Sequence, residues 1–243
     1  MSKRLAILAD IHANLTALEA VMKDMRSHSV SSAVLLGDIV NYGPRPNEVI
    51  DAIRNWEWPV LANIWGNHEY SLFGGSLDRF ATDRGRAVLT YTKGILSEES
   101  WAYLQGMKKE GEDVMNIDGK SFFCLHGTLA DPYWGAFSMG MLDDMNFEKY
   151  DYVLTAHSHI PHYIEHFYKS DNAAYRNKKR TIFINPGSVG QPRNHCPLAQ
   201  YGLLDLETGE YTHRCLEYDI EKEQALFCDK VDVFYKERLK RGI

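Results

Sequence analysis

The chain has 243 residues, few cysteines and no long hydrophobic run. Its four cysteines are scattered, and no two form a Cys-x-x-Cys pair: Cys124, Cys196, Cys215 and Cys228. In a chain of this length, this pattern indicates reduced thiols and argues against a disulfide framework or a zinc knuckle. The apolar run after the basic N-terminus ends at Asp10, which is too short for a signal peptide. No window approaches the roughly 18 apolar residues of a membrane span, so we expect a cytoplasmic protein.

The chain also lacks an excess of positive charge. Its net charge of -6 argues against a general nucleic-acid-binding protein, because such proteins are normally basic. An anionic small molecule remains compatible with this charge, since bound metal ions can invert the local field. We therefore expect a small-molecule partner, no membrane partner and no general nucleic-acid binding.

No internal repeat, low-complexity stretch or linker-like boundary divides the sequence. We therefore interpret residues 1–243 as a single domain, which is within the size that one α/β domain reaches. Segment 70–84 is mixed and rich in glycine, which favours a loop. We expect a cap or flap insertion at about 128–145 and a C-terminal helical tail at about 219–243.

The first third of the chain alternates short apolar strands with amphipathic helices. Strands are predicted at 5–9, 33–36 and 60–64, with helices at about 14–27 and 46–56 between them. This alternation is typical of a parallel sheet built from βαβ units. Further along, the sequence predicts two more helices, two hairpins and three more strands. The strand count exceeds that of one small sheet, so we predict an α/β fold with two packed sheets and helices outside.

Polar side chains follow five of the predicted strands at the point where each strand ends. They are Asp10 and His12, Asp38, Asn67 and His68, His126, and His157 and His159. Strand ends in open α/β sheets are where ligands usually bind. Carboxylate, imidazole and amide oxygen together suit Mn, Fe, Zn or Ni. The sequence therefore predicts a metal site.

The spacing of these residues bears on how many metal ions they hold. In Asp10-x-His12 and His157-x-His159 the two side chains are two residues apart, and on extended backbone they point to the same side. One aspartate can bridge two metal ions with its two oxygens, and Asp38 is the natural candidate. Two ions about 3.5–4 Å apart clamp both oxygens of a phosphoryl transfer and lower the pKa of a bridging water. The pattern thus indicates a hydroxide nucleophile.

Five blocks of sequence resemble, in order, those of the calcineurin-like metallophosphoesterase superfamily. The family blocks are D-x-H, G-D, G-N-H-[DE], a lone His and G-H-x-H. This chain has Asp10-Ile11-His12, Gly37-Asp38, Gly66-Asn67-His68-Glu69, His126 and Ala156-His157-Ser158-His159. The compact size and the stretch 185–189 are similar to the small bacterial and archaeal phosphodiesterase-like branch. The resemblance implies a four-layer αββα sandwich of two mixed sheets flanked by helices.

The resemblance also implies two divalent metal ions, manganese among the candidates, and a role for each block. One ion would be held by Asp10, His12, Asp38 and His159. The other would be held by Asp38, Asn67, His126 and His157. His68 would not bind a metal; it would contact the phosphate and protonate the leaving oxygen or stabilise its developing charge.

Two positions depart from the family pattern. Ala156 replaces the usual glycine of the last block, and its small methyl group is expected to have little effect. Many relatives carry Asp or Arg a few residues after the G-D pair, where this chain has Asn41 or Tyr42. The arginine that clamps phosphate in phosphoprotein phosphatases is therefore not visible, which argues against a close relationship to them.

Several residues near the blocks have two interpretations. Asn14 either caps the first helix or faces the phosphate. Arg193 either contacts the substrate or is a solvated surface arginine. The aromatic segment 133–137 belongs either to the core or to a wall that stacks a nucleobase. Glu69 is interpreted as a partner that orients a histidine, and Gly66 as a point where the backbone bends.

The function predicted from these residues is hydrolysis of a small phosphodiester or nucleotide-type phosphoester by a metal-bridging hydroxide. A phosphoprotein phosphatase is an alternative within the same chemistry. A non-catalytic binding scaffold on the same fold is another, and such a protein would be expected to lose metal ligands or His68. A purely structural metal site is a third alternative, disfavoured because an open site of oxygen and nitrogen ligands is a catalytic arrangement.

Overall fold

The computed structural model describes residues 3–143, 147–174, 176 and 178–243. These residues form ten strands: β1 Arg4–Leu8, β2 Val30–Leu35, β3 Val60–Asn63, β4 Glu112–Ile117, β5 Lys120–Leu125, β6 Tyr152–Leu154, β7 His162–Phe167, β8 Arg180–Asn185, β9 Ala199–Asp205 and β10 Tyr211–Leu216. They form seven α-helices: α1 Leu15–Ser27, α2 Pro46–Arg54, α3 Asn67–Leu72, α4 Asp83–Ile95, α5 Glu98–Gln105, α6 Ile220–Gln224 and α7 Val233–Glu237. None of these helices combines the length and apolarity that crossing a membrane requires.

The strands form two five-stranded mixed sheets, in the orders β10-β9-β1-β2-β3 and β4-β5-β6-β8-β7. In the first sheet β1, β2 and β3 are parallel, and β9 and β10 add an antiparallel edge. In the second sheet β5, β6 and β8 are parallel between the antiparallel edge strands β4 and β7. Two mixed sheets flanked by helices are the predicted architecture, and this prediction is confirmed.

Alternation of side chains along the strands places the core between the two sheets. Leu5 and Ile7 of β1 pack in one cluster with Phe122 and Cys124 of β5. The intervening residues of β1 face the other way, toward the helices, because successive side chains on a strand point to opposite faces. Both faces of β1 are therefore apolar, which explains the continuous apolar run of its sequence.

Helices cover the outer face of the first sheet. Leu18, Val21 and Met25 form the buried stripe of α1, and they belong to the same cluster as the outward-facing residues of β1 and β2. Over the second sheet, the described covering includes the 3₁₀ turn Met139–Asp143, whose Leu142 packs in a cluster with Phe147 and Phe183.

Two segments differ from their predicted conformation. Segment 70–84 was expected to be a loop, but helix α3 extends through its first three residues, and α4 begins at Asp83. The helical tail is interrupted between α6 and α7, and the 3₁₀ turn Arg238–Lys240 follows α7. Within the expected cap at 128–145, residues 131–138 contain no regular helix or strand. Asp144 and Met145 lie outside the described residues.

The C-terminal segment 219–243 packs against the first helices. The fully buried carboxylate of Glu223 accepts hydrogen bonds from the backbone and hydroxyl of Thr16, at 3.2 and 2.6 Å. It also forms a short ion pair with Arg45. Further along, the ring of Tyr235 stacks on Tyr42 with centroids 4.6 Å apart. These contacts bring the tail to the edge of the first sheet where the polar blocks lie.

Gly37, at the end of β2, provides a test of this packing. Its φ is +89°, and a Cβ there would overlap the backbone nitrogen of Gly66. We expect Gly37→Ala to lower the free energy of unfolding by about 2 kcal/mol or more, because neither backbone can move away without breaking the sheet edge. Urea unfolding followed by circular dichroism measures this change.

The matched control is Gly94→Ala inside α4, where an added Cβ meets no atom within 4 Å. This change should raise the stability by roughly 0.5–1 kcal/mol, because alanine favours helix more than glycine does. Equal effects of the two substitutions would show that Gly37 is not sterically constrained.

Candidate metal centre

The loops that follow β1, β2, β3, β5 and β6 meet at one edge of the two sheets. Backbone hydrogen bonds connect these loops beyond the ends of the strands. The amide of Asp10 donates to the carbonyl of Gly37 at 3.1 Å, and that of His12 donates to Asp38 at 2.9 Å. In the second sheet, the amide of Ala156 donates to the carbonyl of His126 at 3.1 Å. The polar blocks are thus fixed relative to one another by the backbone itself.

The side chains of these loops form two groups whose possible ligand atoms all lie within 4.8 Å of one another. One group consists of Asp10, His12, Asp38 and His159. The other consists of Asp38, His126 and His157. Asp38 belongs to both. These are the two sets of residues that the sequence resemblance implies, apart from Asn67, whose amide oxygen lies 3.2 Å from His126 Nε2 and 2.9 Å from His157 Nδ1.

Left-handed backbone, rather than extended backbone, makes these side chains converge. The φ angles are +52° at Asp10, +47° at His12, +54° at Asp38, +63° at His157 and +58° at His159. The expectation that each pair projects from an extended chain is therefore wrong. Residues other than glycine rarely adopt such angles, and each one costs about 1–3 kcal/mol. Backbone strain of this kind concentrates at functional sites.

Three of the histidines are held in one tautomer by backbone carbonyls. The Nδ1–H group of His12 donates to the carbonyl of Val40 at 3.2 Å. The Nδ1–H groups of His126 and His159 donate to the carbonyls of Leu36 and Gln191, each at 2.6 Å. A carbonyl can only accept, so each Nδ1 carries a proton and each Nε2 is directed toward the centre. This is how metal-binding histidines are usually oriented.

The donor atoms fit a cation. Neither carboxylate oxygen of Asp10 has a hydrogen-bond partner among the described residues, nor does Oδ2 of Asp38, although all three atoms are buried. The lone pairs of His12 and His159 face each other, with the two Nε2 atoms 3.2 Å apart. Buried carboxylates and opposed lone pairs are unfavourable unless a positive charge lies between them. The set therefore fits divalent metal ions with oxygen and nitrogen ligands.

The pKa shifts report the same excess of negative charge. Burial raises the pKa of Asp10 to about 8, and the neighbouring charge of Asp38 adds to this increase. Burial acts to lower the pKa of His126, but the charge of Asp38, whose Oδ2 is 3.4 Å away, outweighs it and raises that pKa to about 9. Bound metal would replace these protons, so metal binding at this centre releases protons to solvent.

The two oxygens of Asp38 have different surroundings, and the expectation that Asp38 bridges two ions stays a prediction. Oδ1 accepts a hydrogen bond from the backbone amide of His68 at 2.9 Å. Oδ2 alone faces both groups, at 3.8 Å from His12 Nε2 and 3.4 Å from His126 Nε2. The hydrogen bond at Oδ1 fixes the orientation of the carboxylate, and Oδ2 is the oxygen that lies between the two groups.

His68 is oriented by a chain of two side chains that the sequence did not identify. The hydroxyl of Thr92 donates to the amide oxygen of Asn41 at 3.1 Å. The amide nitrogen of Asn41 therefore faces His68 and donates to its Nδ1 at 2.5 Å. Burial lowers the pKa of His68 to about 4. The ring is thus neutral at pH 7, with its one proton on Nε2.

Neither Glu69 nor Gly66 orients a histidine. Glu69 holds the backbone, and Gly66 leaves room for a neighbouring side chain. The carboxylate of Glu69 accepts hydrogen bonds from the amides of Asp38 at 2.8 Å, Ile39 at 2.9 Å and Gly66 at 2.9 Å. The prediction that Glu69 orients a histidine is therefore wrong. Gly66 has an ordinary φ of -96°, so it is not a special bend. Glycine is required there because a Cβ would overlap the carboxylate of Asp38.

A cavity of about 400 Å³ opens in front of the centre, within the range of small-molecule pockets. Asp38, Asn67, His68 and His157 lie in its wall. Arg193, one of the two candidate substrate contacts, also lines the cavity. So do Tyr42 and three further arginines that the sequence did not point to: Arg79, Arg84 and Arg238.

Asn14, the other candidate substrate contact, is not among the residues that line the cavity. Its amide oxygen accepts from the backbone of Ala17 at 3.0 Å and so caps α1. Its amide nitrogen donates to Gly190 at 3.0 Å and to Tyr218 at 3.2 Å. The structure therefore uses Asn14 as a helix cap, and the prediction of a substrate contact is wrong.

The aromatic segment 133–137 divides between core and cavity. Tyr133 stacks on Tyr70 with centroids 4.3 Å apart, and Phe137 packs against Phe183 at 5.3 Å. Trp134 alone lines the cavity, where it meets the ring of Phe80 edge-on at 5.0 Å. Only one ring of this segment is placed to contact a ligand.

Known proteins with the same organisation were found by sequence and by structure. A family model described as the calcineurin-like phosphoesterase superfamily domain matches residues 4–209. The uncharacterized protein MJ0912 of Methanocaldococcus jannaschii is 33% identical over 249 residues, which cover 98% of each chain. A metallophosphoesterase from Sphaerobacter thermophilus superimposes over 100% of both chains, with a TM-score of 0.78 and 28% identity.

The hypothetical protein PH1004 from Pyrococcus horikoshii has the same fold. It covers 99% of this chain and 98% of its own, with a TM-score of 0.81 and 24% identity. The family match extends over most of the sequence and includes every predicted metal ligand. The chain therefore belongs to the calcineurin-like phosphoesterase superfamily.

Proposed function

We propose that this protein is a dinuclear metal-dependent hydrolase of a small phosphodiester or nucleotide-type phosphoester. The observation that carries the proposal is the pair of buried ligand groups that share Asp38. Asp10, His12, Asp38 and His159 would hold one divalent ion, and Asp38, Asn67, His126 and His157 the other. When bound, the two ions would supply an activated water and neutralise the phosphate oxygens.

His68 would stabilise the charge that develops on the leaving oxygen. Its Nδ1 accepts from Asn41, so its only proton is on Nε2, the ring nitrogen on the Asp38 side at 3.8 Å from Oδ2. A neutral imidazole in this tautomer donates a hydrogen bond and cannot act as a base through that nitrogen. This supports stabilisation of the leaving group rather than activation of water.

The complete set of residues argues against a binding scaffold. All seven candidate ligands and His68 are present, and the Nε2 atoms of His12, His126 and His159 are oriented toward one centre. A protein that only binds partners has no need to maintain strained backbone at five of these positions. The four free cysteines support a reducing compartment, and the cytoplasm stays a prediction.

Removal and return of metal test the proposal directly. Protein treated with a chelator should lose its activity on bis-p-nitrophenyl phosphate and regain it with manganese. Metal content is measured in parallel by mass spectrometry, with about two ions per chain expected. If a broad panel of phosphoesters is not cleaved with Mn, Fe, Zn or Ni, the proposed activity is refuted.

His68→Ala should separate catalysis from metal binding. We expect turnover to fall by roughly 10²–10⁴ while metal content stays near normal, because the imidazole acts on the leaving group. The control is His166→Ala on β7, which does not line the cavity. Loss of metal in His68→Ala would instead identify His68 as a ligand.

Thr92 tests whether the amide of Asn41 orients His68. Thr92→Val keeps the shape of the side chain but removes the hydroxyl that fixes the amide. We expect kcat to fall roughly tenfold with little change in KM, because only transition-state contacts weaken. Thr92→Ser, which keeps the hydroxyl, should retain most of the activity. Equal losses in both variants would show that the Thr92 hydroxyl does not orient His68 through Asn41.

A further inference from the structure

Four arginines line the cavity, and for three of them the described residues offer no Asp or Glu side chain as an ion-pair partner. Arg79 forms an ion pair with Asp131 at 2.5 Å. For Arg84, Arg193 and Arg238, no side-chain carboxylate of the described residues lies within ion-pair distance. We refer to these three as the cavity arginines. A cluster of like charges facing a cavity without counter-charges is a feature that binds anions.

Arg193 lies beside the first ligand group. Its backbone amide donates to the carbonyl of His159 at 3.4 Å, which ties its loop to that ligand. Its Nε is buried without a hydrogen-bond partner among the described residues. A buried guanidinium N–H without an acceptor is unfavourable, so the geometry leaves this donor free for a ligand in the cavity.

Arg238 is brought to the same cavity by the C-terminal tail. Only 8% of its surface is exposed, and its Nε donates to a main-chain oxygen of Ile243. Phe234 contacts two of the cavity arginines, with its ring centroid 5.0 Å from Cζ of Arg238 and 3.9 Å from Cζ of Arg84. Burial, together with the nearby charge of Arg193, lowers the pKa of Arg238 to about 10. The guanidinium groups of Arg193 and Arg238 thus repel each other across a partly desolvated space.

The charge balance of the proposed centre indicates what these arginines bind. Two divalent ions with the carboxylates of Asp10 and Asp38 and one hydroxide leave a single positive charge. The monoanionic phosphate of a diester already balances that charge. The three cavity arginines, which have no Asp or Glu partner among the described residues, would then add positive charge that a substrate with one phosphate does not match.

We propose that Arg84, Arg193 and Arg238 bind a second phosphate of the substrate, remote from the one that is hydrolysed. The substrate class is therefore a small phosphoester that carries a further phosphate group, such as a nucleotide with both a 3′-phosphate and a 5′-phosphoester. This inference rests on the proposed phosphoesterase function and narrows its substrate. Arg84 and Arg193 lie within residues 4–209, which the family model matches, and the C-terminal tail adds Arg238 to them.

Two substrates that differ by one phosphate test the inference. They are the p-nitrophenyl ester of thymidine 5′-phosphate and the same ester with an added 3′-phosphate, so the bond that breaks is the same. We expect kcat/KM to be about tenfold or more higher for the substrate with the 3′-phosphate, as charge-assisted hydrogen bonds contribute. Arg193→Gln and Arg84→Gln should each reduce that ratio several-fold. Arg84 is exposed, so its variant is expected to fold.

Arg241→Gln is the matched control for long-range charge. Arg241 is exposed on the same tail and does not line the cavity, so the ratio should be unchanged. Binding gives a readout apart from turnover: calorimetry should show thymidine 3′,5′-bisphosphate binding about tenfold more tightly than thymidine 5′-phosphate, and Arg193→Gln should remove most of this difference.

The outcomes separate the two proposals. If neither ester is cleaved with any metal, the proposed function fails, and the calorimetric comparison still decides on the phosphate subsite. If both esters are cleaved with equal kcat/KM, the phosphoesterase function stands and the second phosphate site is refuted. A ratio that falls equally in Arg241→Gln would also refute it, because the effect would then come from the overall charge of the tail.

Discussion

The candidate site depends on the burial of two carboxyl groups whose oxygens mostly lack hydrogen-bond donors among the described residues. Asp10 and Asp38 are 0% and 1% exposed, and three of their four oxygens have no hydrogen-bond partner among the described residues. Buried charge without a partner is among the most unfavourable arrangements in a protein interior. It persists here because strand ends, glycines and backbone hydrogen bonds fix the loops independently of the carboxylates. The packing of the fold thus offsets the unfavourable burial of these groups, in an arrangement that suits a cation.

The cost of this arrangement is visible in the backbone. Five of the seven candidate ligands have positive φ, and Asn41 and Tyr42 beside them do as well. Glu69 offsets part of that cost, because its buried carboxylate accepts the amides of Gly66, Asp38 and Ile39 where the loops turn. Burial, with the charge of Asp38, raises the pKa of Glu69 to about 7. Glu69 of the Gly66-Asn67-His68-Glu69 block therefore supports the backbone, while its neighbours Asn67 and His68 face the site.

The sequence predicted the two sheets and which residues come together in the two candidate metal groups, and the reasons are local. Apolar runs define buried strands, and ligands that follow such runs converge because the strands are parallel. The geometry of convergence was not predictable in this way. Left-handed φ angles at His12 and His159 depend on carbonyls from distant loops, which no spacing rule contains. The Thr92–Asn41–His68 chain is likewise invisible in sequence, because Thr92 lies in a helix whose contact with Asn41 is tertiary.

The structure of the C-terminal tail also depends on tertiary contacts that the sequence pattern does not contain, and the tail bears on specificity. Its short helices have little helical pattern, and tertiary contacts hold them, among them buried Glu223 against Thr16 and Tyr235 against Tyr42. Because Tyr42 also packs edge-on against His68 at 4.4 Å, this aromatic ring joins the tail to the candidate metal centre. The loops of the two sheets form that centre, and the tail adds positive charge in front of it. Under the proposed function, sequence changes in the tail would alter which phosphoester is accepted without altering how it is cleaved.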